Sequence, residues 1–274
     1  MASGPSKRFT IVASVAISII AFGLWQIYDL VMYYISPPIL VIYILFLAIP
    51  SIIIAIFFLF TKLTKSTLEK QGFRKPTTIK ALKCVLLSVG FIVIYVLIYM
   101  FPAITTGNYS YQALSANPLI VMHRVASAIL FGLATESVFR GFVFRNLVRN
   151  HGFFTSLYSS SLLFALYQIS IKDLIGVSLD QAVIYAFTNV FPTFAAGLFL
   201  GFFFYKIGRS LLGPLIFSAT VRFFLDPYPI LSSPSPPWWM ALTLEAVSFV
   251  VLIFIVDSVV KEPQYLRRRY GLGD

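Results

Sequence analysis

The stretch ILVIYILFLAIPSIIIAIFFLF, residues 39–60, runs for 22 residues without a charged side chain. A helix needs roughly 20 apolar residues to cross about 30 Å of hydrocarbon, so this segment alone reads as a membrane span. The rest of the chain agrees. Of 274 residues, 59% are hydrophobic and 11% charged, and mean hydropathy is +0.88. Soluble domains carry about 25% charged residues. The composition predicts an all-α, polytopic transmembrane helix bundle.

Further apolar runs give about eight spans: 9–31, 39–60, 81–101, 118–138, 153–170, 181–205, 210–226 and 238–260. The fourth is expected to continue as a helix to about Asn150. The seventh is short and polar, and needs protein neighbours. The first run is longer than a signal-peptide core and reads as a retained span. With no tandem repeat and no soluble segment, residues 1–274 form one membrane domain.

The position of each charge is more informative than the net +11, which in a membrane chain does not imply a nucleic-acid partner. Lys7 and Arg8 precede the first span. Lys62, Lys65, Lys70, Arg74, Lys75, Lys80 and Lys83 surround the second connection. Arg145 and Arg149 follow the fourth span, Lys206 and Arg209 the sixth, and Lys261 and Arg267 to Arg269 the eighth. Connections 32–38, 102–117 and 227–237 contain no Lys or Arg, and 171–180 has one. By the positive-inside rule both termini are cytoplasmic, an alternation that eight spans satisfy and seven do not. The basic segment 61–83 reads as a topology determinant rather than a lipid-headgroup site. SSPSPPWW (232–239) reads as an external loop with Trp238 and Trp239 at the interface.

Ionisable and polar groups inside spans are functional candidates because they are costly there. In ATESVFRGFVFRN (134–146), Glu136 and Arg140 are spaced i,i+4 and share a helical face. Two readings stand: a buried pair that fixes helix position, or a general base oriented by a cation. Ser159, Ser160 and Ser161 in SSSLLFALYQ suit close helix packing. Asn189 and Pro192 mark a kink satisfied by neighbours, or a polar cavity. Arg222 and Asp226 can pair at i,i+4 in the seventh span. Glu245 and Asp257 lie in the last span, Asp257 near its solvated end.

Metal chemistry has little to work with. Cys84 is the single cysteine, read as a buried inert thiol, and the two histidines are His123 and His151. A hydrolytic zinc site needs about three converging ligands. These histidines are expected near opposite membrane faces, with His151 as a turn residue beside Gly152. HExxH, GxSxG, Walker A and GxGxxG patterns are absent. No cofactor or metal is expected.

Three segments together resemble the CPBP family of intramembrane proteases, the Abi or CAAX-protease family. Its pattern is EExxxR followed by a small residue, then FxxxH, then HxxxN or HxxxD. TESVFRG (135–141), FALYQ (164–168) and SATVR (218–222) match in order and spacing, flanked by SSSLLFAL and SLLGPLIF. The resemblance covers roughly residues 80–226. It implies an intramembrane endopeptidase fold in a prokaryotic plasma membrane, with the first glutamate and the histidines activating water and stabilising an oxyanion.

The chain departs from that pattern at four positions. Thr135 replaces the first glutamate, Gln168 and Ser218 replace the two histidines, and Arg222 replaces the Asn or Asp; only Glu136 and Arg140 persist. Threonine is no general base near neutral pH. Gln168 can donate a hydrogen bond to an oxyanion but cannot shuttle protons. Ser218 lacks a neighbouring His or Lys to activate it. Helix neighbours differ by about 100° in direction, so Glu136 is expected to point away from the water position that Thr135 would face.

The expectation is therefore a non-catalytic family member. Its polar site binds or scaffolds a partner membrane protein or a lipidated or hydrophobic peptide within the lipid bilayer. The alternatives are an active CAAX-type endopeptidase with Glu136 as base and Gln168 as oxyanion donor, or a small-solute transporter, a class whose internal repeats are missing here.

Overall fold

The computed structural model describes residues 7–35, 38–73, 78–106, 110–111, 118–225, 231–232 and 238–259. Among them run eight long helices. They are α1 (Lys7–Ile35), α2 (Ile39–Leu63), α3 (Thr78–Thr106), α4 (Pro118–His151), α5 (Phe153–Tyr167), α6 (Leu179–Lys206), α7 (Leu212–Leu225) and α8 (Trp238–Val259). Hydrocarbon offers no partner for a backbone N–H or C=O, so uninterrupted apolar runs close their hydrogen bonds within helices. Stretches of α1, α2, α4 and α6 (Arg8–Ile35, Leu40–Leu63, Pro118–His151 and Leu179–Lys206) are long and apolar enough to cross a membrane. Helices α5 and α7 are shorter, about 22 and 21 Å at ~1.5 Å per residue, and sit against protein as the polarity of the seventh run predicts. The protein is an all-α integral membrane bundle.

Helix α4 is its axis. It packs against α1, α2, α5, α6 and α7, and every residue from Ala134 to Val148 is buried. A helix enclosed on all faces can carry charge at membrane depth, because protein rather than lipid surrounds it. One apolar cluster joins it to α1 and α2 through Ile17, Ile53, Phe57, Phe142 and Val143. A second lies between α3, α6, α7 and α8, built on Phe91, Phe199, Phe203, Phe217 and Leu252.

Two helices change pitch. Ser137–Phe144 of α4 and Ala186–Val190 of α6 are π-helical. In α6 the wider turn precedes Pro192, which has no N–H to donate. Asn189 is exposed and its Nδ2 donates to the Tyr185 carbonyl at 3.1 Å, while the Thr193 hydroxyl donates to the Asn189 carbonyl at 2.6 Å. These polar groups bond back to carbonyls of their own helix.

One connection carries structure that its charge pattern does not specify. Part of the basic segment 61–83 is a folded plug. Gln71 is fully buried, and the Gly72 carbonyl (φ 99°) accepts from the Leu211 N–H at 3.2 Å. Only glycine adopts this backbone without strain. The exposed side chains of Lys62, Lys65 and Lys70 sit around it. Elsewhere, Ser110–Tyr111 pairs antiparallel with Leu231–Ser232. Residues 233–237, Asp226 and the cations at 74, 75, 261 and 267–269 lie outside the described residues, as do the side chains of Trp238, Trp239 and Glu245.

Candidate functional site

The site is built where α4, α5 and α7 meet. On α4, Glu136 is 1% exposed and Arg140 2%. The Arg140 Nε lies 3.4 Å from Glu136 Oε2, so the i,i+4 spacing does place the two side chains together. Arg140 Nη2 donates to the Gly197 carbonyl of α6 at 3.4 Å, and the guanidinium stacks 4.1 Å from the Phe164 ring centroid on α5. A cation held by a carboxylate, a carbonyl and an aromatic face replaces much of the hydration it gives up. That is how an arginine persists in the middle of this bundle.

The other oxygen of Glu136 is also taken. Ser218 Oγ on α7 donates to Glu136 Oε1 at 2.7 Å. The contact requires α4 and α7 to run close, and they do. An added Cβ on Gly132 would sit 3.2 Å from the Ala219 backbone nitrogen. Ser218 therefore has a neighbour that its own sequence surroundings do not reveal, a carboxylate 82 residues away.

Thr135 is buried, and its hydroxyl donates to the Phe131 carbonyl at 2.8 Å and the Gly132 carbonyl at 3.2 Å of its own helix. Gln168 is half-buried at the C-terminal end of α5, with its backbone N–H donating to the Ala165 carbonyl at 3.1 Å. The Arg222 guanidinium lies 5.1 Å over the Phe131 ring, within electrostatic reach of both Glu136 and Tyr167. Thus Glu136, Ser218, Arg222 and Tyr167 gather at one place, with Thr135 beside Glu136 on α4 and Gln168 following Tyr167 on α5.

Gly141 ends the TESVFRG motif, and the fold explains it. A Cβ there would lie 2.9 Å from the Gln71 backbone carbonyl and 3.3 Å from Leu211 Cδ1. The plug around Gln71 rests directly on the turn after Arg140. Gly197 serves the same end on α6, where a Cβ would meet Ser161 Cβ at 2.9 Å. Ser161 is thus the close-packing residue that the serine run of α5 suggests.

The histidines stay apart. His123 Nε2 lies 3.3 Å from the Tyr43 carbonyl near the start of α4, and His151 ends the same helix before Gly152 (φ 79°). Their 28-residue separation spans about 42 Å of helix. Cys84 is buried on α3. Among the described residues, no three His, Cys, Asp or Glu side chains converge as metal ligands.

This arrangement of motifs on three helices invites comparison with known proteins. A model of the type II CAAX prenyl endopeptidase Rce1-like family matches residues 117–224. That segment is similar to the Rce1-like family. It covers all of α4 to α6 and all but the last residue of α7, and so contains every motif position named above. No curated protein matches the chain. Helices α1, α2, α3 and α8 lie outside the Rce1-like segment.

Two residues of α1 belong with the site, although the motifs do not include them. Gln26 and Asp29 are buried in an otherwise apolar helix and bond to the turn just after Gln168. Their sequence signal was their polarity inside a span.

Proposed function

We propose that this CAAX-protease-like membrane protein is non-catalytic and uses the α4–α5–α7 site to bind a hydrophobic or lipidated peptide, or the transmembrane segment of a partner protein. The observation that carries this reading is the occupation of Glu136. One carboxylate oxygen accepts from Ser218 at 2.7 Å, the other faces Arg140 at 3.4 Å, and the residue is 1% exposed. A general base must reach the proton it abstracts, directly or through one water. Glu136 accepts a hydrogen bond on one oxygen and holds an ion pair with Arg140 through the other, which has no hydrogen-bond donor among the described residues; Thr135 is bonded to its own helix, and Gln168 carries no titratable proton. The group that the resemblance makes catalytic is replaced, and the group that remains is structural.

The experiment is direct. The full chain in lipid nanodiscs is incubated with a dye-labelled farnesylated CAAX peptide. Binding is read by anisotropy and cleavage by mass spectrometry. Binding without cleavage is the expected result. Cleavage that disappears in Glu136→Ala sinks the non-catalytic reading.

A second reading keeps one observation. A hydroxyl 2.7 Å from a carboxylate, with an arginine orienting that carboxylate, is the spacing of a nucleophile, its base and a third orienting group. An endopeptidase working with Glu136 as base and Gln168 as oxyanion donor would therefore engage Ser218 too. Its mark would be cleavage abolished by Ser218→Ala as well as by Glu136→Ala. We place the protein in a prokaryotic plasma membrane on the resemblance alone; fractionation of the source cells tests it.

A further inference from the structure

The turn that follows α5 is held from outside the Rce1-like segment. After Gln168 the chain leaves the helix, and its backbone groups lose their helical partners. Three of them are answered by side chains from other helices. The Gln26 carboxamide of α1 donates through Nε2 to the Ile169 carbonyl and accepts at Oε1 from the Ile171 N–H at 2.8 Å. Between them, the Ser170 N–H donates to the Tyr185 hydroxyl of α6 at 2.9 Å. One turn further along α1, Asp29 Oδ1 pairs with Lys172 Nζ at 3.4 Å. Gln26 and Asp29 are 4% and 7% exposed.

The same stretch of α1 also touches the walls of the site. Trp25 lies edge-on to Phe131 at 5.0 Å and 6.3 Å from Tyr167. Phe131 carries the carbonyl that accepts from Thr135 and the ring beneath Arg222. Helix α1 therefore bridges α4 and α5 at the level of the motif residues.

A carboxamide is suited to this task. It offers a donor and an acceptor side by side, so one side chain can satisfy a carbonyl and an N–H two residues apart in a turn. The carboxamide itself is 4% exposed, so its own N–H and C=O would be unsatisfied if the turn did not answer them.

We propose that Gln26 is a positioning residue of the site: it fixes the turn that follows Gln168, and the site of α4, α5 and α7 is completed by α1. As a statement about the pocket, this rests on the binding function proposed above; as a statement about the turn, it is tested separately.

The test uses the full chain in nanodiscs with Cys84→Ser and a reporter cysteine, Gln168→Cys. N-ethylmaleimide labelling is followed over time by intact mass. With Gln26 present, labelling is slow. In Gln26→Leu it accelerates about tenfold, the factor that ~1.4 kcal/mol of easier local opening gives. Gln26→Glu, which still accepts from Ile171 but no longer donates to Ile169, falls between and serves if Gln26→Leu does not fold. A reporter at Asn150→Cys, at the far end of α4, keeps its rate. An unchanged rate at position 168, or an equal rise at position 150, overturns the tether. The farnesylated peptide then reads the pocket: its affinity falls in Gln26→Glu if the turn shapes the site. Failure of the unsubstituted protein to bind that peptide counts against the binding function alone, and leaves the labelling result standing.

Discussion

Ser218 and Glu136 meet across α7 and α4, hydroxyl to carboxylate at 2.7 Å. The contact closes the polar centre of the bundle, because Arg140 occupies the other oxygen. Removing the hydroxyl leaves a buried carboxylate oxygen without its donor. Ser218→Ala is expected to lower stability by ~1–3 kcal/mol, the cost of such an orphaned acceptor. Thermal unfolding in detergent reads it, and an unchanged midpoint shows that Oε1 finds another partner.

Breaking the Glu136–Arg140 pair from one side costs more. Arg140→Ala leaves a buried carboxylate with only Ser218 and the more distant Arg222, and the loss is expected at ~3–5 kcal/mol. Replacing both partners with apolar residues, Glu136→Leu with Arg140→Met, is expected to recover over half of it, since neither charge then needs a partner. A double substitution as damaging as Arg140→Ala alone means that the pair does more than satisfy its own charges.

The two small residues around the site differ in tolerance from an ordinary surface glycine. Gly141→Ala drives a methyl toward the Gln71 carbonyl at 2.9 Å, and Gly197→Ala toward Ser161 Cβ at 2.9 Å and Cα at 3.0 Å. Backbone must move in both, so each is expected to cost ~1–3 kcal/mol. Gly201→Ala meets only the end of the Leu157 side chain, at 2.6 Å, which can rotate away. Unfolding midpoints should rank Gly201→Ala above the other two; the reverse order would show that the helices part easily.

If the scaffold is inherited and only its chemistry has been replaced, restoring the family residues together should restore activity. Thr135→Glu, Gln168→His and Ser218→His in one chain are expected to cleave the farnesylated peptide, and each single reversion is expected to be inert. Thr135→Glu alone adds a second carboxylate beside Glu136 without the imidazoles that would share its proton. Cleavage by any single reversion would show that the remaining groups are already competent.

What the sequence determined by itself was whatever a short window can encode. Runs such as residues 39–60 had to become helices because hydrocarbon leaves the backbone no other partner, so all eight were legible with ends displaced by a few residues. The Glu136–Arg140 pair was legible for the same reason, as i,i+4 neighbours on one face. The site's remaining contacts join residues far apart in the chain. Ser218 finds Glu136, Gln71 covers Gly141, and Gln26 holds the turn after Gln168 only once the helices are packed. No local pattern specifies those meetings, since each depends on helix crossings that set side chains face to face at distances of a few ångströms. The tertiary structure therefore decided what the glutamate meets: a serine hydroxyl on one oxygen and an arginine across an ion pair from the other, because helix packing sets α7 and α4 side by side.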